Sequence, residues 1–159
     1  MSQSYWDMGK IPAASKKYAP GGEEQLFANR QGQHAVTCTQ AQKVMEEITD
    51  FEGLVAAGTA LENLRTTSVC KAHSLGLTRD GYHMDKGIAR YAAGCVMYQV
   101  MLYPIYKKEL SANTFRDATT STTTGQLQTA ITNTNAPIAQ QAALFAVSDP
   151  YKITDMSKY

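Results

Sequence analysis

The chain has 159 residues, of which 43% are hydrophobic and 18% are charged. This balance is typical of a globular protein and excludes an intrinsically disordered one. The formal net charge of +1 gives no electrostatic reason to expect nucleic acid or an anionic membrane as a partner. No apolar run is long enough to cross a bilayer, and residues 1–7 lack the basic and apolar regions of a signal peptide.

The first half of the chain predicts helices around one strand. Residues 1–33 contain Pro and Gly breakers and predict a strand end followed by an irregular lead-in. From residue 34 or 35 to residue 48, apolar side chains recur at helical spacing, namely Val36, Ala41, Val44, Met45 and Ile48. The run 53–57 has the length and composition of a buried parallel strand, and residues 59–65 then predict a helix.

The segment from residue 84 to about residue 102 predicts a long helix with a broad apolar stripe facing the core. The stripe consists of Ile88, Tyr91, Ala92, Cys95, Val96, Gln99 and Leu102. We expect it to pack against a strand containing Leu54 and Val55. Pro104 ends or kinks this helix.

The last third predicts a linker and a final helix. Residues 119–124 are a low-complexity run of Thr and Ser, which is typical of a turn or an exposed linker. Asn135 is expected to cap a helix with Pro137 in its first turn, running to about Val147. We therefore divide one domain into a lead-in (1–33), an α/β core part (34–115), a Thr-rich linker (116–134) and a C-terminal helix and tail (135–159).

The segment with the clearest chemical pattern precedes the long helix. Asp80 and His83 are three residues apart with Gly81 between them, which fits a tight turn. In such a turn the carboxylate can hold one imidazole nitrogen while the other acts as a general base. The alternatives are a surface turn in which Asp80 is only a local cap, or Asp85 as the orienting acid, although a carboxylate in a first helical turn more often complements the helix dipole.

The block Asp80-Gly81-Tyr82-His83 resembles the last conserved block, Asp-x-x-His, of the SGNH (GDSL-like) hydrolase superfamily. The flanking runs GTALENLRTT (58–67) and GIARYAAGC (87–95), and APIAQQAA (136–143) further on, look like an uncharacterised branch of that superfamily from gut bacteria. The resemblance covers the C-terminal half of such a domain. It implies a partial doubly wound, flavodoxin-like three-layer α/β fold, and a periplasmic or secreted location.

The resemblance further implies that Asp80 and His83 are two members of a Ser-His-Asp triad for hydrolysis of acyl esters, including esters on carbohydrates, without cofactor or metal. The Gly-Asp-Ser block and the oxyanion-hole blocks are absent. Ser2, Ser4 and Ser74 lie in no Gly-rich elbow, so the nucleophile is expected outside this chain. Half of such a sheet would expose an apolar face, which predicts a second chain carrying the N-terminal half, or self-association.

Two alternatives to the esterase hypothesis remain open. A non-catalytic structural or binding protein would keep the scaffold without the chemistry. Two pairs, His34 with Cys38 and Cys70 with His73, have spacings that a zinc site could use, but no four-ligand motif is present.

Among the tyrosines near the long helix, Tyr82 is the one expected near a ligand, because Asp80 and His83 flank it. Arg65 is expected to hold the loop that follows it.

Overall fold

The computed structural model describes residues 30–71, 76–80, 83–123 and 125–159. These ranges contain the helices α1 (Arg30–Glu47), α2 (Ala57–Arg65), α3 (Ser68–Lys71), α4 (Ile88–Met97), α5 (Tyr103–Tyr106) and α6 (Asn135–Ser148). A π-helical turn (Tyr98–Leu102) joins α4 to α5, and a 3₁₀ turn (Leu110–Ala112) follows. The β-structure of the described residues consists of isolated antiparallel bridges, which join Thr78 to Met84, Asp117 to Ile131 and Ser121 to Gln128.

The core lies where α2, α4 and α6 pack against one another. Alanine supports α6, since it has the highest helix propensity and its methyl group lets neighbouring helices approach closely. The buried alanines of α6 are Ala136, Ala139, Ala142, Ala143 and Ala146. Larger side chains from the other two helices, including Leu61, Leu64 and Ile88, fill the space between the helix axes.

Helix α2 is buried along its whole length from Thr59 to Arg65, although it carries several polar residues. Its Asn63 explains how this is tolerated. The Asn63 Nδ2 donates to the carbonyl oxygen of Ala142 at 3.2 Å, and its Oδ1 accepts the backbone N–H of Thr154 at 2.7 Å. A buried amide with both ends paired avoids the desolvation cost and fastens α6 and the C-terminal tail to α2.

The helix predicted from residue 84 begins at Ile88. Its stripe is confirmed in the first half, where Ile88, Ala92, Cys95 and Val96 are buried, but Leu102 is 44% exposed. The prediction for Leu102 is wrong because the π-helical turn adds one residue to the helical repeat, which rotates the following side chains away from the stripe.

The predicted strand at 53–57 is also wrong. Residues 51–56 have no regular structure, Ala57 begins α2, and Val55 is exposed. A short apolar run cannot be assigned to strand or helix by its periodicity, and α4 packs on α2 and α6 instead. The doubly wound sheet stays a prediction.

Helix α1 lies where the sequence predicts a helix, but a different face of it is buried. Val44 and Ile48 from the predicted stripe are exposed, whereas His34 and Cys38 are buried. The apolar spacing correctly predicted a helix, but it did not predict which face is buried. The buried positions are occupied by His34 and Cys38, whose side chains have hydrogen-bond partners.

Candidate functional site

The candidate site is a tight turn just before α4. Its ends are joined by the bridge between Thr78 and Met84 and by a hydrogen bond of 2.9 Å from the Arg79 N–H to the His83 carbonyl. Arg79 also ties the turn to Gly125, because its carbonyl accepts the Gly125 N–H at 2.7 Å and its Nη1 donates to the Gly125 carbonyl at 3.2 Å. Arg79 is therefore hydrogen-bonded both to His83 and to Gly125.

Asp80 and His83 contact each other through both carboxylate oxygens. Asp80 Oδ1 accepts the backbone N–H of His83 at 2.8 Å, and Asp80 Oδ2 lies 2.7 Å from His83 Nδ1. The predicted hydrogen bond between the two side chains is confirmed. An ionised carboxylate can only accept, so Nδ1 carries a proton and Nε2 of the neutral ring is left as the base.

The two side chains differ in exposure. The His83 side chain is 63% exposed and that of Asp80 is 24% exposed. A molecule approaching from solvent can therefore reach the imidazole while the carboxylate stays behind it. In the described residues no serine or threonine hydroxyl is hydrogen-bonded to His83. The candidates Ser2, Ser4 and Ser74 lie outside those residues, as does Tyr82.

Asp85, the alternative orienting acid, has another role. It is fully buried, its Oδ1 accepts the Gly87 N–H at 2.6 Å, and its Oδ2 accepts the Thr129 N–H at 2.9 Å. Both oxygens are thus used to satisfy backbone donors, one at the start of α4 and one in the segment that follows Gly125. Asp85 is a structural cap at the start of α4, and the carboxylate hydrogen-bonded to the imidazole is that of Asp80.

Arg65 holds the loop that leads to the turn, as the sequence predicts. Its Nη1 lies 2.6 Å from Glu62 Oε1, with both side chains almost fully buried, and its Nε donates to the Gly76 carbonyl at 3.1 Å. The next residue, Leu77, has a φ of 71° and is fully buried. A branched residue tolerates this left-handed conformation only where its surroundings compensate. Here the compensation is the burial of the Leu77 side chain in the hydrophobic core.

The pair His34 and Cys38 comes together on α1. Cys38 Sγ lies 3.4 Å from His34 Nε2, which also bonds to Thr59 Oγ1 at 3.0 Å. Burial raises the pKa of the Cys38 thiol, which disfavours the thiolate that a metal needs. Among the described residues no group of three His, Cys, Asp or Glu side chains could hold a metal ion, and His73 of the second pair lies outside them.

Sequence reasoning missed a cavity of about 510 Å³ beside α4, between that helix and residues 108–115. Its aromatic walls come from Tyr91 on α4, from Tyr98 at the start of the π-helical turn and from Phe115 on the facing segment. In the sequence, the helical spacing of Tyr91 and Tyr98 is the one pattern that indicates an aromatic wall on this side of the cavity. The facing segment has no periodicity, so nothing in the sequence places it there.

Comparison with known proteins assigns the family. Residues 13–135 match the family model described as "Domain of unknown function (DUF4886)". The chain belongs to the DUF4886 family. A crystal structure at 1.50 Å resolution of a DUF4886 family protein from Bacteroides uniformis ATCC 8492 is similar to it, with a TM-score of 0.62 and 22% sequence identity. No curated protein matches this chain.

The alignment with the solved DUF4886 protein covers 87% of this chain but 46% of the relative, so this chain spans less than half of the relative's length. At 22% identity the likeness shows a shared fold. No helix in the described part of this DUF4886 chain is both long and apolar enough to span a membrane.

The family assignment corrects the resemblance to SGNH (GDSL-like) hydrolases, because both the matched model and the solved relative are described as DUF4886 and neither description names an SGNH hydrolase. The physical reason lies in the motif. Asp-x-x-His occurs often by chance, since it describes one carboxylate and one imidazole on a turn. The flanking Ala- and Leu-rich runs are what any tightly packed helix contains.

Proposed function

We propose that this chain supplies a general base and its orienting carboxylate, His83 and Asp80, for the hydrolysis of acyl esters. The observation that carries the proposal is the 2.7 Å contact between Asp80 Oδ2 and His83 Nδ1. This contact fixes the ring and leaves Nε2 to remove a proton from a hydroxyl nucleophile, whose weak reactivity otherwise limits acyl transfer.

The nucleophile and the donors that stabilise the oxyanion belong, in this proposal, to the part of the family fold that these 159 residues do not span. Two observations support this assignment. The chain covers 46% of its solved relative, and apolar side chains on the π-helical turn and its flanks are 44–70% exposed, namely Met97, Met101, Leu102 and Ile105. Exposed apolar clusters of this kind mark interaction surfaces. We assign the surface to the part of the family fold that this chain does not span. The competing possibility is that a second copy of this chain covers the same apolar surface.

The experiment is a hybrid in which this chain replaces the matched part of the Bacteroides uniformis protein. It is assayed with p-nitrophenyl acetate and with an acetylated sugar, next to the 159-residue chain alone. The chain alone should show no hydrolysis above background, because a base without nucleophile and oxyanion donors gives no useful rate. The hybrid should turn over, and His83→Ala should lower its kcat/KM by about 10²–10⁴-fold.

The matched control is Asp155→Asn. Like Asp80, Asp155 accepts a backbone N–H, that of Ser157 at 2.8 Å, but no imidazole among the described residues contacts it. Asp80→Asn should impair the hybrid and Asp155→Asn should not. A cooperatively folded hybrid without turnover would refute the catalytic proposal. Turnover by the lone chain would refute only the claim that the nucleophile lies elsewhere.

A second candidate is a non-catalytic structural or binding protein. It is favoured by the exposure of His83 without a hydroxyl partner among the described residues, together with the exposed apolar surface at the end of α4. An inert hybrid that folds tightly, or a stable dimer of the lone chain in analytical ultracentrifugation, is the result that supports it.

A further inference from the structure

The cavity beside α4 is independent of the Asp80–His83 pair and carries its own inference. It has a volume of about 510 Å³ and lies between the C-terminal half of α4 and residues 108–115. We propose that it binds an uncharged, planar aromatic group of a small molecule. This proposal does not rest on the proposed ester hydrolysis.

The volume matches a ligand of defined size. Small-molecule sites generally occupy roughly 300–1,000 Å³, and an apolar cavity of about 150 Å³ already holds a benzene ring. The cavity beside α4 therefore has room for a group of two or three rings. The volume alone does not determine which chemical group binds. That depends on the residues that line the cavity.

The walls are aromatic and held in place. The rings of Tyr91 and Phe115 lie 6.3 Å apart between centroids at an interplanar angle of 22°. Such near-parallel, offset rings form the edge of a stack that a further flat ring can extend. Phe115 is 56% exposed, so part of its surface remains open to a ligand.

The hydroxyl groups of the two tyrosines in the walls are already used within the protein. The Tyr98 hydroxyl donates to the Lys108 carbonyl at 2.7 Å, and the Tyr91 hydroxyl accepts from Gln140 Nε2 at 2.8 Å. These bonds orient both rings. Cys95 adds a neutral surface, because burial raises the pKa of its thiol to about 11.

The charges at the rim cancel. Lys108 and Glu109 are neighbours of opposite sign and both line the cavity, and Glu109 Oε1 also accepts from the Tyr103 hydroxyl at 2.8 Å. A charged ligand would gain from one and be repelled by the other. The rim therefore favours an uncharged group.

Gly94 keeps the helix side of the cavity open. It lines the cavity, and a Cβ atom built on it would meet no atom within 4 Å. A side chain as large as leucine at this position would occupy space that the proposal assigns to the ligand, whereas the single methyl group of alanine would leave most of that space open. Leucine and alanine are both better helix formers than glycine, so neither substitution threatens the helix.

The experiment titrates the 159-residue chain with the uncharged fluorescent dye N-phenyl-1-naphthylamine. Saturable binding is expected, with chemical-shift changes at the Gly94 and Phe115 amides. Gly94→Leu should weaken binding by about tenfold or more, and Phe115→Ala should weaken it as well. Gly94→Ala is the matched control with little effect. Ile105→Ser tests the exposed apolar surface and should leave binding unchanged, because Ile105 does not line the cavity.

The charge preference is tested by displacement. 2-Naphthol should displace the dye, and 2-naphthoate, with the same rings and a carboxylate, should do so several-fold less well. Any one of three results would overturn the proposal. They are the absence of saturable dye binding, equal dye affinity of Gly94→Leu and the unaltered chain, and loss of dye binding in Ile105→Ser. Naphthoate binding as tightly as naphthol would overturn its uncharged character. A second copy of the chain filling the cavity would appear as dimerisation that Gly94→Leu abolishes, and this too would overturn it.

Discussion

A Cβ atom on Gly87 would lie 1.8 Å from the carbonyl oxygen of Thr129. The close approach follows from Asp85, whose two carboxylate oxygens accept the backbone N–H groups of these same residues. The buried carboxylate thereby draws the segment around Thr129 against the start of α4. That segment also contacts the turn of Asp80 and His83 through Gly125, so the packing at Gly87 supports the candidate site.

Gly87→Ala should destabilise the protein, because the backbone of residue 129 must move to make room. Overpacking of this kind typically costs about 1–3 kcal/mol and sometimes more. Gly94→Ala is the control, since its Cβ meets nothing and alanine favours the helix by roughly 1 kcal/mol. Urea unfolding measures both. Equal midpoints for Gly87→Ala and the unaltered chain would show that the two segments are not packed as described.

Ile88→Ala and Leu102→Ala should differ although the sequence pattern places both on one stripe. Ile88 is fully buried against α2 and α6, and Leu102 is 44% exposed. The first substitution should cost about 2–5 kcal/mol and the second about 0.5 kcal/mol or less. Thermal unfolding of the two variants checks this. A large effect at Leu102 would mean that another surface covers it in solution.

The free energy of unfolding should fall as pH rises through the window from 9.0 to about 11. Burial raises the pKa of Cys95 from 9.0 to about 11, so within this window the unfolded thiol ionises while the folded thiol stays protonated. The unfolded state then binds fewer protons and is favoured. This shift in the pKa of Cys95 corresponds to a loss in the free energy of unfolding on the order of 2–3 kcal/mol. Cys95→Ala should flatten the dependence in urea unfolding at several pH values. An unchanged slope would contradict the assignment.

The parts of this structure that the sequence could predict are local ones. Asp80 and His83 are three residues apart, so their contact depends on one turn. Helices α2 and α6 lie where the local spacing and Pro137 predict them. The register of α4 beyond Met97 was not predictable in this way, because a single π-helical turn reverses the exposure of Leu102.

The other features depend on partners that are distant in the chain. Glu62 and Arg65 are charged, yet both are buried, because they contact each other and Arg65 also donates to the Gly76 carbonyl. Asn63 is satisfied by Ala142 and Thr154, about 80 and 90 residues away. The cavity needs Phe115 opposite Tyr91. No periodicity encodes such pairings, and a four-residue motif is too short to assign a family.

The central claim is that Asp80 holds His83 in the tautomer of a general base, and the ¹⁵N chemical shifts of the two imidazole nitrogens test it most directly. In the 159-residue chain at a pH where the ring is neutral, Nδ1 should show the shift of a protonated nitrogen and Nε2 that of an unprotonated one. Asp80→Asn should weaken this preference, and Asp155→Asn should leave it intact. A protonated Nε2 in the unaltered chain, or identical shifts in Asp80→Asn, would contradict the account.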